Sequence, residues 1–158
     1  MQGDIFCDPE SAFTAFYRAY NGPTVDHFYT TSVTELDNAV NQLGYSAEGI
    51  TRRVLTAESA CPYIKSEPLY RAYSTTAFDH FYTTSESEWN NAIVNLGYNR
   101  EGIAGYVYAD QVCDSIPLFR TYGAAGTDYF YTANEQEYDG VVEGGFADEG
   151  IVGYILPA

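Results

Sequence analysis

Short runs in which apolar and polar residues alternate give way, three times along the chain, to stretches with apolar residues three and four apart. In the first pass an aromatic run, Phe16–Tyr20, is followed by the loop NGPTV and a second run, HFYTT. Such Tyr, Phe and Thr content suits a pleated strand. Leu36, Ala39, Val40 and Leu43 then recur at helical spacing, and EGITRRVL returns to strand-like composition. The second pass has strands at Leu69–Tyr73 and HFYTT, helical positions Trp89, Ala92, Ile93 and Leu96, and a closing EGIAGYVY. The third has Leu118–Tyr122, YFYTA, then Tyr138, Val141 and Val142, and EGIVGYIL. Each predicted helix opens on a cap: Ser32 with Glu35, Ser85 with Glu88, Asn134 with Glu137. This is the capping-box spacing, in which each partner satisfies a free N–H of the first turn. Gly44, Gly97 and Gly145 stand where a helix end favours a left-handed residue, and the glycine of each EGI fits an unusual backbone angle.

These passes are copies. Residues 16–50 align with 69–103 without a gap at an offset of 53, with 20 of 35 positions identical; a more diverged third copy runs from Leu118 to Ile151. The pattern predicts an α+β fold of three β-β-α-β repeats in a compact pseudo-threefold arrangement. It also predicts one domain over 1–158, with repeats at approximately 13–57, 66–110 and 115–156. One unit is too small to bury its own core, so neighbours must complete it. A β-trefoil also has three repeats of this length; it ranks second because each unit here carries a capped helix.

Charge narrows the function. Seven basic against 22 acidic residues give −15, a field that repels phosphate backbones and anionic headgroups. Neither nucleic acid nor electrostatic membrane docking is expected, and no apolar run of ~18 residues predicts a membrane span. The N-terminus MQGDIFCDPE has neither a basic start nor an apolar stretch, so it does not read as a signal peptide. Cys7, Cys61 and Cys113 each precede a repeat. Their odd number leaves open three thiols, or one disulfide and a free or intermolecular thiol. No zinc-site spacing and no EF-hand-like loop occurs, so no metal-ligating residues and no cofactor are predicted, while the acidic surface leaves calcium dependence open.

The second strand of each copy holds the candidate ligand contacts. If Phe28, Phe81 and Phe130 point to the core, then His27, Tyr29, His80, Tyr82, Tyr129 and Tyr131 share the opposite face. Rings with polar tips can stack on sugar C–H surfaces, and Asp26, Asp79 and Asp128 can accept from hydroxyls. The same residues have a structural reading, with Asp capping a turn and Tyr covering a helix. Phe78, in the variable five-residue loop, is a further candidate contact. Arg18, Arg71 and Arg120 recur with Glu48, Glu101 and Glu149, which suggests bidentate structural pairs, with ligand carboxylate binding as the alternative. No nucleophile triad or paired-carboxylate arrangement is visible, so catalysis is not expected.

The motif Leu69-Tyr-Arg-Ala-Tyr … Asp79-His-Phe-Tyr-Thr-Thr-Ser … Gly97-Tyr … Glu101-Gly-Ile resembles a tandem-repeat family of unknown function found in secreted fungal proteins and bacterial surface proteins, often beside cell-wall or glycoside hydrolases. The resemblance covers roughly residues 13–156. It implies an extracellular setting and an accessory binding role toward glycans, with no catalytic residues. The third copy departs from it at Tyr129 and at Ala133-Asn134. The expectation is a lectin-like module with up to three related sites; the alternative is a protein-interaction module such as an inhibitor or surface-assembly domain.

Overall fold

The computed structural model describes residues 7–157; Met1–Phe6, part of the segment read for a leader, and Ala158 lie outside the described residues. The first copy contributes β1 (Phe13–Asn21), β2 (Asp26–Thr30), α1 (Val33–Gln42) and β3 (Ser46–Leu55). The second contributes β4 (Ser66–Ser74), β5 (Asp79–Thr83), α2 (Glu86–Asn95) and β6 (Asn99–Tyr108). The third contributes β7 (Ile116–Gly123), β8 (Asp128–Thr132), α3 (Glu135–Glu143) and β9 (Ala147–Ile155).

Within each copy the first strand lies between the other two, antiparallel to both. The closing strands then join the copies, through Leu55 opposite Tyr106 and Tyr108 opposite Tyr154. All nine strands therefore belong to one antiparallel sheet. This corrects the expected α+β class built from separate β-β-α-β units, and the trefoil alternative with it, because the copies share one sheet. The fold is β-rich, and its three short helices are accessories to a shared sheet. Helical periodicity revealed the helices; it could not reveal that strand ends continue the ladder from copy to copy.

Local predictions hold where backbone chemistry is local. Ser32 Oγ, Ser85 Oγ and Asn134 Oδ1 accept from the backbone N–H of Glu35, Glu88 and Glu137. The other half of the box is different: the three glutamate side chains turn to Thr30, Thr83 and Thr132 and to an arginine of another copy. The EGI glycines Gly49, Gly102 and Gly150 have φ of 90°, 80° and 85°, left-handed backbone that glycine adopts without a Cβ clash.

The core lies where the copies meet. Phe16, Leu69 and Leu118 pack with Val54, Val107 and Ile155 around Tyr29, Tyr82 and Tyr131. Gly105 and Gly153 let neighbouring strands approach closely: a Cβ on them would lie 2.9 Å from Val54 Cγ2 and 2.4 Å from Val107 Cγ2. Cys7 and Cys113 form a disulfide, and Cys61 is free. No helix among the described residues is long and apolar enough to cross a membrane.

Candidate functional site: the seams between copies

Strands β2, β5 and β8 are sheet edges, and a free edge exposes alternate N–H and C=O groups. Here those edges face one another, and side chains satisfy them. Tyr82 Oη accepts from Tyr29 N and donates to Tyr29 O, both at 2.7 Å. Tyr131 does the same for Tyr82, and Tyr29 for Tyr131. Two residues earlier on each edge, the N–H groups of His80, Tyr129 and His27 donate to Asp26, Asp79 and Asp128. At every seam the aspartate of one copy and the tyrosine of the next therefore bind each other's edge.

This corrects the expected ligand face. Tyr29, Tyr82 and Tyr131 are fully buried, as are Asp26, Asp79 and Asp128. The alternation was right but both faces are covered: Phe28 and Phe81 lie under their helices, while the tyrosines point to the centre. A tyrosine tip needs a hydrogen-bond partner, and edge backbone supplies it as well as water would. His27 and His80 are largely buried, with Nδ1 2.6 Å from Asp128 Oδ2 and Asp26 Oδ2. Tyr129, in the histidine position, is half-buried and packs against Tyr122 with the rings tilted.

The three aspartates offer oxygens within 4.8 Å of one another, but hydrogen bonds already engage each carboxylate. Asp79 differs from the others in having no imidazole against it. Burial pushes its pKa up to about 8, Tyr98 and the Tyr129 N–H oppose that rise, and Asp26 and Asp128 add to it.

Each repeated arginine spans a seam. Arg71 bonds Glu101 of its own copy and, in bidentate fashion, Glu35 of the first; Arg120 treats Glu149 and Glu88, and Arg18 treats Glu48 and Glu137, in the same way. Burial alone would raise the pKa of Glu35, Glu88 and Glu137, yet their arginine partners hold all three below the usual range. The structural reading of these arginines is the one the geometry favours.

A cleft of about 490 Å³ opens to solvent between the first and second copies. Phe28, Tyr45, Tyr73 and Phe78 supply aromatic surface, and Asn38 and Glu101 supply polar edges. Phe78 is half-exposed at φ 55°. Backbone of that kind is strained for a bulky residue. The matching place between third and first copies is packed differently. There Phe146 lies 2.6 Å from where a Cβ on Gly123 would be, and Val25 packs onto Gly126. Sequence reasoning found Phe78 and His80, which both line the cleft, but missed Asn38, Tyr45 and Tyr73. The signal was available in the third copy, which has Gly140 for Asn38 and Phe146 for Tyr45.

Residues 15–156 match the family model described as a domain of unknown function, DUF5648. No curated protein and no solved structure matches the chain.

Proposed function

Because the chain belongs to the DUF5648 family, and membership brings no activity with it, we propose that it is a non-catalytic carbohydrate-binding module whose ligand occupies the cleft between the first and second copies. The observation that carries this reading is the cleft's lining: Phe28, Tyr45, Tyr73 and Phe78 beside amides, carboxylates and the His80 imidazole, in a space of about 490 Å³. Binding sites of this size combine mostly apolar walls with a few placed polar groups. A pyranose ring presents the complementary surface, with C–H patches for Tyr73 and Phe78 and hydroxyls for Asn38 and Glu101. The reading places the ligand in this one cleft, where three related sites were expected. A secreted setting accords with the Cys7–Cys113 disulfide, since such bonds persist in oxidising compartments.

Phe78→Gly separates function from folding. It removes the ring and relieves the left-handed backbone, so the melting temperature should hold or rise. NMR titration of the whole protein with neutral hexoses, N-acetylhexosamines and their short oligomers is expected to shift Asn38, Tyr73 and Phe78. Phe78→Gly should weaken that binding about tenfold or more. Silence of these three residues toward every sugar would reject the reading. The protein-interaction alternative draws on Ile50, Ile103 and Ile151, exposed at the same place in all three copies. A partner protein that protects these isoleucines and leaves the cleft untouched would favour it.

A further inference from the structure

A second, polar cleft of about 250 Å³ lies at the seam between the third and first copies, lined among others by Arg18, Glu48, Thr51, Arg52, Asn134 and Glu137. Its character comes from one departure of the first copy. Thr51-Arg52 stand where the second copy has Ala104-Gly105 and the third has Val152-Gly153. At those two glycines the neighbouring strand leaves no room for a Cβ. Arg52 is accommodated instead with φ at 57°, in the left-handed region that glycine favours.

The charge of Arg52 is also unmatched. Among the described residues, Arg18, Arg53, Arg71, Arg120 and Lys65 have carboxylate partners, and Arg100 bonds Asn90 and covers Trp89. Arg52 is the one basic side chain with no ion pair, hydrogen bond or aromatic face, in a chain of net charge −15. It is partly buried in the cleft wall. Beside it, Glu48 and Glu137 share Arg18, which engages Glu48 Oε1 and both oxygens of Glu137, and neither forms an ion pair with Arg52.

We propose that this cleft binds a carboxylate-bearing ligand of the uronic-acid class, with the Arg52 guanidinium as its charge partner. A planar carboxylate matches the guanidinium fork. The two glutamates on the same walls and the acidic field of the whole chain repel a dianion such as phosphate more strongly than a singly charged carboxylate. Asn134 Oδ1 is committed to the N–H of Glu137, which leaves the amide nitrogen to donate to a sugar hydroxyl.

The test is an NMR titration of the whole protein with sodium glucuronate, following backbone amides and arginine Nε–H groups. Glucose serves as the uncharged counterpart and inorganic phosphate as the second anion. Saturable shifts are expected at Thr51, Arg52 and Asn134 with glucuronate alone. Arg52→Gly installs the residue of the other two copies, so it should melt at or above the parent temperature while losing the saturable response. Arg52→Lys keeps the charge without the fork and should bind at least several-fold more weakly. No saturable shift with glucuronate, or an unchanged one in Arg52→Gly, would overturn the proposal. An equal response to phosphate would reduce it to general anion attraction and reject the carboxylate assignment. Because Asn38, Tyr73 and Phe78 report on the other cleft, the two readings fail separately.

Discussion

The five residues of the second strand do their work through backbone. Asp at its start and Tyr three residues later are each spent on the edge of a neighbouring copy, so a pattern that looks like ligand chemistry is the joint between copies. Asp79 shows the consequence of altering one member. With Tyr129 where the other copies have histidine, its carboxyl is pushed up to about 8 from an ordinary 3.8, first by burial. A folded pKa raised above the unfolded one gives a contribution that is fully present below about pH 4 and lost as pH rises through about 8. Stability therefore falls as pH rises across that window, by a few degrees of melting temperature or more in a chain of this size. Thermal melts from pH 4 to 9 are expected to show this decline in the parent and a flatter profile in Asp79→Asn. Tyr129→His, which restores a side chain able to take up a proton, should move the window to lower pH. A decline of equal size in Asp79→Asn would assign it to other groups.

Among the elements, the helices were the most legible because caps, spacing and terminal glycines are local properties. The strands were located correctly but half misread. Period-two alternation separates two faces without saying what covers each, and tyrosine is compatible with water or with a buried carbonyl. Phe28 and Tyr29 thus both became core, one under α1 and one at the centre. The aromatic cleft was legible at Phe78 and His80 and not beyond, because Asn38 and Tyr45 reach it from the helix and the turn behind it, positions that pattern alone assigns to packing. Strand glycines carried a signal of their own. Gly153 sits where a Cβ would lie 2.4 Å from Val107 Cγ2. Gly153→Ala should lower stability by about 1–3 kcal/mol through overpacking. Chemical denaturation should show Val107→Ala recovering part of that loss in the double variant, beyond the sum of the single changes. Strict additivity would place the cost elsewhere.

For the whole molecule, repetition was evident from the sequence, but the way the copies join was not. Their mutual contacts involve arginines, tyrosines and aspartates more than 30 residues apart. The third copy reaches back to the first through Tyr29 with Tyr131, through Arg18 with Glu137, and through paired backbone bonds between Arg53 and Leu156. Removing residues 115–158 would therefore strip partners from both remaining copies at once. Such a truncation is expected to be largely unfolded by circular dichroism and proteolysis. Retention of a cooperative transition by the first two copies would show that they form an independent unit.

An open array of repeats has two ends, and units can be gained or lost there with little disturbance to the rest. The Arg53–Leu156 bridge leaves this chain no such end. A fourth unit spliced between the second and third would find no vacant edge to dock on and would be expelled as a loop. The number of units is thus set by closure, and lengthening such a protein calls for a second complete set appended outside the first.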